Sequence, residues 1–317
     1  MTQEDLVTGD ESLVSVVIPV YNRAHLIGRA IGSVLAQTYQ NFEIVVVDDA
    51  STDDLSGALS EISYSRLRRV AHPRNRGAAA ARNTGVAAAV GEYVAFLDSD
   101  DIWYPQKLAA QVAAMRGQPP DIAGTVCAYD CIRTGRPPRR VVPSWTPLTF
   151  ARSQLLGCTC GPGTTLLCRR DVFAEIGPYY EELRRLEDWD WLLRLAESGY
   201  CLLGSREVLA WVEVGAGGTR RHIDAALGRI RERHEPIIAR DGAASRRCFT
   251  ATLHLEAAAA ALAERDYGAA AIEMMRSLAL YPMRGAEFYR YLIRRIGWAC
   301  GFRGGGRDQS PAATSSL

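Results

Sequence analysis

The sequence predicts an α/β protein with a doubly wound, mainly parallel sheet, followed by a C-terminal helical appendage. Two continuous β-branched runs, Val14–Val20 and Phe42–Val47, are typical of buried parallel strands, and a segment with helical periodicity separates them. The same alternation continues as far as Leu97, whereas the periodicity is wholly helical from about Gly215. A sheet of this kind binds its ligands at the carboxyl ends of its strands.

The other elements of the first half follow in order. Apolar residues at helical spacing predict a helix from Leu26 to Leu35. The pattern after the second strand then predicts a helix over Asp54–Ser63, a strand over Leu67–Ala71, an alanine-rich helix over Ala78–Val90 and a strand over Tyr93–Leu97. A further helix is expected between Pro105 and Met115.

The second half is less regular. The stretch Gly117–Pro147 is rich in Pro and Arg, and we interpret it as a loose loop of the kind that covers sites. A strand over Thr164–Arg169, a short helix with Asp171 as its N-cap and a helix beginning at Glu187 are expected beyond it.

These patterns divide the chain into three regions. The sheet domain is placed at residues 12–214 and the helical region at residues 215–303, where Thr252–Ala263 and Ala269–Leu280 predict a helical hairpin. Residues 304–317, rich in Gly and Ser, are expected to form a disordered tail.

Composition excludes several classes of protein. The formal net charge of +1 gives no global field, so nucleic acid is not an expected partner. Met1–Glu11 lacks the apolar core of a signal peptide, and no run reaches the roughly 18 apolar residues of a membrane span, so we expect a cytoplasmic location with reduced cysteines. Lys107 is the only lysine, so arginines must carry any phosphate contacts.

Acidic residues follow the strand that ends at Leu97. Asp98, Asp100 and Asp101 lie within four residues, and their mutual repulsion at the end of a buried strand favours a site for a cation and a diphosphate. The alternative is a solvated turn in which Asp101 caps the next helix. Tyr21 with Asn22, and Asp48 with Asp49, follow the first two strands, so several loops should converge on one crevice.

Two nucleotide-dependent enzyme classes are disfavoured by the loop after the first strand. A dinucleotide-dependent oxidoreductase should carry Gly-x-Gly-x-x-Gly there, and a sugar-phosphate nucleotidyltransferase should carry a Gly-rich, basic phosphate loop. The chain has Pro19-Val-Tyr-Asn22 instead. A catalytically silent nucleotide-sugar-binding module remains a third alternative, although its expected loss of Asp98, Asp100 or Asp188 is not seen.

Taken together, the chain resembles the family 2 inverting glycosyltransferases with the GT-A fold, a Rossmann-like nucleotide-sugar domain. The resemblance covers about Val14 to Val214 and rests on five motifs in order. The motifs are Val14–Asn22; Gln37–Tyr39 with Phe42–Asp53; Asn75–Gly77 with Ala81–Gly85; Gly91–Tyr93 with Leu97–Pro105; and Gly177 through Glu187–Asp190.

The resemblance implies transfer of a sugar from a nucleoside-diphosphate sugar to an acceptor hydroxyl with inversion. Mg²⁺ or Mn²⁺ would be bound by Asp98 and Asp100, with Asp98 also contacting the donor. The Gln-x-x-Arg-Trp motif of processive synthases is absent, so single-sugar transfer in glycan or polysaccharide biosynthesis is expected. The acceptor is a glycan, a lipid-linked glycan or a small molecule.

The resemblance also assigns nucleotide contacts to the first loops. Pro19 and Tyr21 would wall the base, Asn22 belongs to the same loop, and Asp49 would accept a hydrogen bond from the base edge. Asp48 competes with Asp49 for that role, and a turn or cap role for Asp49 stays open. Arg82 would reach the base or the diphosphate, its alternative being an exposed salt bridge.

For the general base, the resemblance points to Asp188, with Glu187 orienting the acceptor. The alternative is that both acids only complement the helix dipole, which is worth about 1 kcal/mol. Trp189 and Trp191 either stack on sugars or pack in the core.

Two features of the C-terminal half depart from the family or go beyond it. Many relatives carry an Arg and a His after the last core strand, where this chain has Trp211–Thr219; His222 is a substitute or a surface residue. Arg284–Arg303 has the pattern of a basic amphipathic helix, which predicts either peripheral membrane contact or packing on the sheet domain.

Overall fold

A computed structural model describes residues 12–133, 136–158, 160–213 and 219–281. Within these ranges, nine strands form one mixed sheet flanked by helices. In chain order the strands are β1 Val14–Val20, β2 Phe42–Asp48, β3 Leu67–Ala71, β4 Tyr93–Phe96, β5 Ile102–Trp103, β6 Ile122–Arg133, β7 Arg136–Val141, β8 Leu167–Arg169 and β9 Cys201–Glu213. The helices are α1 Ala24–Leu35, α2 Leu55–Ser60, α3 Ala78–Ala88, α4 Lys107–Met115, α5 Phe150–Gln154, α6 Pro162–Thr165, α7 Arg170–Ile176, α8 Glu187–Glu197, α9 Arg220–Ile238, α10 Ala243–Ala263 and α11 Tyr267–Leu280.

The first four strands confirm the predicted parallel half of the sheet. The order β3-β2-β1-β4 is parallel throughout, and every residue of β1, β2 and β4 is buried. Burial on both faces explains why these strands read as unbroken apolar runs. The strand bounds agree with the sequence pattern to within one residue, whereas α2 ends at Ser60, three residues early.

The prediction of a loose loop over Gly117–Pro147 was wrong. That stretch contains β6, which pairs in parallel with β9 and antiparallel with β7 and β8. Gly124 permits the close approach of β8, because a Cβ there would lie 2.3 Å from the carbonyl oxygen of Leu167. The prolines of β7 are tolerated because β6 is the one strand that pairs with it in the described part of the chain, and proline is found at sheet edges.

Two smaller predictions also needed correction. Thr164 and Thr165 belong to the helical turn α6, so the strand predicted over Thr164–Arg169 begins only at Leu167. Asp171 lies in the first turn of α7, whose N-cap is Arg169.

The predicted helical hairpin is confirmed by α10 and α11, although α10 begins at Ala243. An apolar cluster joins α8 to α9 and α10, and within it Trp189 lies 5.9 Å from Phe249, measured between ring centroids. Trp191 stacks on Phe173 at 4.8 Å. Both tryptophans are fully buried, so core packing and not sugar stacking explains them.

Polar contacts reinforce the attachment of α9 to α8. The buried carboxylate of Asp190 bonds Arg194 at 3.0 Å and His234 at 3.1 Å, and the other ring nitrogen of His234 lies 2.7 Å from Glu197. Burial would lower the pKa of His234, but its hydrogen bonds to the two acids outweigh this and raise the pKa.

Lys107 lies at the start of α4 and is fully buried. Its Nζ donates to Gln111 Oε1 at 2.6 Å and lies 3.9 Å from the ring centroid of Trp103. Burial lowers the pKa of this lysine to about 8.

Several predictions concern segments beyond the described part of the chain. The basic helix at Arg284–Arg303, the tail at residues 304–317 and residues 214–218 of the loop after β9 lie outside it. The seven described cysteines are free. Among the described helices, none combines the length and apolar character needed to cross a membrane.

Candidate functional site

A cavity of about 650 Å³ opens at the carboxyl ends of β1, β2 and β4 and extends to α10. The predicted crevice is therefore present. Seven predicted site residues line it, namely Pro19, Tyr21, Asp49, Arg82, Asp98, Asp100 and Glu187. Asn22 and Asp188 are not among the lining residues.

Asp49 organises the loop that follows β3. Its Oδ1 accepts hydrogen bonds from the backbone N–H of Arg76 at 2.8 Å and lies 2.7 Å from His72 Nδ1, and its Oδ2 accepts from the N–H of Gly77 at 2.7 Å. Gly77 caps α3 with a φ of 94°, a conformation that suits glycine. The turn role is therefore real, while Asp49 still lines the cavity.

Asp48, the competitor of Asp49, and Asn22, a predicted nucleotide-contact residue, both have protein partners. Asp48 accepts from the N–H of Ser51 at 2.8 Å and from Arg69 at 2.6 Å, so it holds the turn after β2 and does not line the cavity. Asn22 accepts from the N–H of Thr52 at 2.7 Å and thereby ties the first loop to the second. Tyr21, by contrast, is 45% exposed on the cavity wall.

Arg82 is neither an exposed salt-bridge residue nor a free phosphate ligand. Its Nη2 donates to Asp98 Oδ1 at 2.7 Å, and its Nη1 donates to Glu187 Oε1 at 2.8 Å. The guanidinium is buried, and its Nε has no hydrogen-bond partner among the described residues. Arg82 therefore joins the acids after β4 to the first residue of α8.

The three acids after β4 have different surroundings. Asp98 is 37% exposed toward the cavity, and burial raises its pKa against the opposing charge of Arg82. Asp100 forms an ion pair with Arg23, the residue that precedes α1. Asp101 is buried, where it accepts from Thr164 Oγ1 and from the N–H of Glu213 at 2.8 Å, so it fastens the strand end to β9 and does not cap a helix.

The acids at the start of α8 face different environments. Glu187 lines the cavity beside Arg82, and burial together with the charge of Asp188 raises its pKa. Asp188 is half-buried and accepts a hydrogen bond from the Cys158 thiol, with 3.4 Å between Oδ2 and Sγ. Leu186, just before them, has a φ of 61°, which is uncommon for a residue with a branched side chain.

The charges around the cavity favour a bound cation. Seven carboxylates and five arginines line it, so the formal charge of the lining is negative by two. Among the described residues, no three His, Cys, Asp or Glu side chains form a ready-made metal site. Asp98 and Asp100, the pair expected from the sequence to bind the metal, each form an ion pair with an arginine here, and one or two carboxylates are the usual protein share for Mg²⁺.

Sequence reasoning missed part of the cavity lining. Arg23 pairs with Asp100, Arg184 and Arg185 precede the α8 acids, and α10 contributes small residues such as Ala260. The adjacent arginines before Glu187 were a visible signal. The contribution of α10 had none, because it depends on how the helices pack against the sheet.

The family model for Glycosyl transferase family 2 matches residues 15–177. Two Escherichia coli proteins described as UDP-Glc:alpha-D-GlcNAc-diphosphoundecaprenol beta-1,3-glucosyltransferases are similar in sequence. WfaP is 32% identical over 207 residues, which cover 65% of this chain and 78% of WfaP. WfgD is 46% identical over 106 residues, which cover 33% of this chain and 42% of WfgD, less than half of that relative's length.

Two solved structures have similar folds. The TarS 1-349 structure from S. aureus, in complex with UDP-GlcNAc, has a TM-score of 0.63 at 19% identity and covers 90% of this chain and 83% of TarS 1-349. The mannosyltransferase PcManGT from Pyrobaculum calidifontis, in complex with GDP-Man and Mn²⁺, has a TM-score of 0.54 at 22% identity, with 90% of this chain and 80% of PcManGT covered.

Proposed function

The chain belongs to glycosyl transferase family 2 and has the GT-A fold, and from this we propose that it transfers a single sugar from a nucleoside-diphosphate sugar to an acceptor hydroxyl with inversion at the anomeric carbon. The observation that carries the proposal is the composition of one cavity, to which all five sequence motifs contribute lining residues. The motif residues there include Tyr21, Asp49, Arg82, Asp98 and Glu187.

In this proposal the nucleoside lies at the end of the cavity formed by β1 and β2. Pro19 and the exposed ring of Tyr21 wall the base, and the loop held by Asp49 closes its edge. Asp49 keeps acceptor capacity for the base edge, because a carboxylate has about four lone-pair sites and three are used. Asn22 acts indirectly, by fixing the loop that carries Tyr21.

Asp98 and Asp100 would hold Mg²⁺ or Mn²⁺. The net negative charge of the lining fits a divalent cation. When bound, the cation would offset the negative charge that the diphosphate gains as it departs. Arg23 and Arg82 contribute fixed positive charge beside the same acids.

Asp188 is our proposed general base, and Glu187 is proposed to orient the acceptor. A base must remove the proton of the acceptor hydroxyl as its oxygen attacks the anomeric carbon. The hydrogen bond with Cys160, together with burial and the Asp188 charge, raises the pKa of Cys158 well above its usual range. Cys158 therefore remains a thiol that donates to Asp188. Because neither residue lines the cavity, Asp188 would have to exchange this hydrogen bond for one from the acceptor hydroxyl.

The names of the two Escherichia coli relatives suggest a lipid-linked acceptor and glycan or polysaccharide biosynthesis. We propose an acceptor of that class, with the enzyme acting at the inner face of a membrane. Uridine and guanosine donors are the first to test, because the two structural neighbours hold UDP-GlcNAc and GDP-Man.

The test is a panel of nucleotide sugars with the full chain, Mg²⁺ or Mn²⁺ and diphosphate-linked acceptors. Two readouts are measured: the release of nucleoside diphosphate and the mass of the glycosylated product. We expect one donor to yield a glycosylated acceptor and one equivalent of nucleoside diphosphate. Release of inorganic diphosphate from a sugar phosphate and a nucleoside triphosphate would instead indicate a nucleotidyltransferase. Binding of nucleotide sugars without turnover of any acceptor would indicate a silent module.

A further inference from the structure

The far wall of the cavity carries no motif residue. It consists of one face of α10, where Glu256, Ala259, Ala260 and Ala263 recur three and four residues apart, together with Ile223 of α9. The family match ends at residue 177, well before this wall. The donor motifs therefore leave this part of the cavity without an assigned ligand.

Apart from the buried Glu256, the α10 part of the wall is apolar and made of small side chains. Ala259, Ala260 and Ala263 leave open width beside the helix, and Ala263 lies at the exposed rim. A ligand portion that contacts this face should be uncharged and tolerant of apolar surroundings, because alanine offers no hydrogen bond.

Two cationic side chains on the cavity wall have no hydrogen-bond or ion-pair partner among the described residues, although the charge of Arg185 acts on Glu187. The side chains of Arg184 and Arg185 are exposed and make no hydrogen bond or ion pair with any residue that the structure describes. Arg23 and Arg82, which line the same cavity, are both paired with acids. Unpaired guanidinium groups facing a cavity are suited to phosphate oxygens, which they can bind in a bidentate manner.

The segment that carries these arginines is held in place by the helices. Leu183 and Leu186, on either side of them, pack in the apolar cluster shared with α9 and α10. Leu186 adopts its strained left-handed conformation directly before Glu187. The packing therefore holds Arg184 and Arg185 on the cavity wall just before the acids of α8, with the guanidinium of Arg184 above Gly77.

We propose that Arg184 and Arg185 bind the diphosphate of a lipid-diphosphate-linked acceptor, whose first apolar units lie against the Ala259–Ala263 face of α10. This inference rests on the proposed transferase function and names the acceptor subsite within it. The donor also carries a diphosphate, so the experiment must separate the two sources.

The probe is farnesyl diphosphate, titrated into the full chain that is saturated with UDP or GDP, whichever it binds. We expect saturable binding, with farnesol and inorganic diphosphate each binding more weakly. The double variant Arg184→Gln/Arg185→Gln should raise the Kd for farnesyl diphosphate at least about ten-fold, because each charged hydrogen bond contributes that scale. Ala263→Trp should raise it as well, while the Kd for the nucleoside diphosphate stays within about two-fold.

Matched controls carry the same changes away from the cavity. Arg240→Gln/Arg247→Gln removes two exposed arginines of the helical region, and Ala271→Trp enlarges an exposed alanine of α11. Both should bind farnesyl diphosphate like the wild type.

Three outcomes would overturn the subsite: no binding of farnesyl diphosphate by the wild type, unchanged affinity in the double variant, or a loss that falls on the nucleoside diphosphate instead. If arginine-dependent binding is seen but no donor is ever turned over, the subsite stands and the transferase proposal fails. If sugar is transferred to acceptors at the same rate by the wild type and the double variant, the transferase proposal stands and the acceptor subsite fails.

Discussion

Arg82 donates a hydrogen bond to Asp98 across 2.7 Å, and the same guanidinium reaches the start of α8 through its other terminal nitrogen. One buried side chain thus connects the proposed metal ligands with the proposed acceptor side of the cavity. Its geometry is fixed by two carboxylates, which explains why it is not available as a free phosphate ligand.

Replacing Arg82 with Gln should lower the free energy of unfolding by about 3 kcal/mol, because Asp98 and Glu187 would lose their shared counter-charge. Urea denaturation followed by circular dichroism measures this. As control, Arg76→Gln removes the exposed pair with Glu181 and should cost no more than about 1 kcal/mol. Equal effects of the two substitutions would contradict the buried role of Arg82.

Sugar transfer should require a divalent cation and stop on chelation. Asp100→Ala should abolish stimulation by Mg²⁺ or Mn²⁺, measured as initial rate against metal concentration, because it removes one of the two proposed ligands at the end of β4. Asp121→Ala, which removes an exposed acid just before β6, should give the same rate against metal concentration as the wild type. Full activity with excess chelator would dismiss the metal site.

Asp188→Asn should lower the transfer rate by roughly 10²-fold or more while nucleotide affinity is retained, the usual scale for loss of general base help. Cys158→Ala removes the thiol donor and should leave turnover possible, since the acceptor hydroxyl is to occupy that position. Normal turnover by Asp188→Asn, or an equal loss of nucleotide affinity and rate, would show that the base is another group.

The stability of the protein should fall as pH rises through the titration of His234. Its folded-state pKa is raised above the usual value of 6.5, so its stabilising contribution is complete below that pH and is lost as pH rises through the folded-state pKa. The difference in unfolding free energy between wild type and His234→Gln, measured from pH 6 to 9, should shrink accordingly. A constant difference between wild type and His234→Gln across this range would refute the linkage.

The sequence of Arg284–Arg303 predicts that the full chain binds anionic liposomes, with each basic residue near the surface contributing about 1 kcal/mol to the binding free energy. Co-sedimentation of the full chain should exceed that of a chain ending at Pro282. Equal, negligible binding by both, with the shorter chain folded, would leave packing on the protein as the explanation.

Local periodicity was sufficient to predict the parallel half of the sheet, because β1, β2 and β4 are buried on both faces and read as unbroken apolar runs. It failed for β6, whose apolar residues run directly into the Arg- and Pro-rich β7 and whose parallel partner β9 lies far along the chain. The register between distant strands is set by their tertiary contacts, and a short window of sequence holds no information about those contacts.

The site shows the same division. Residues at strand ends, such as Pro19, Asp49 and Asp98, line the cavity because the position of a strand end fixes them. Asn22 and Asp188 lie at the ends of the predicted elements, but their side chains engage Thr52 and Cys158, and those partners come from other segments. Rotamers and partners of this kind are decided only when the loops meet.

The burial of Lys107 has a practical consequence for chemistry done on this protein. Acylating reagents that seek primary amines find no accessible lysine on the folded chain, because the only one is enclosed between Trp103 and Gln111. Its ε-amine becomes reactive only when α4 separates from the sheet. Mass-resolved acylation of this one position therefore reports how often that part of the interior opens, without any engineered label.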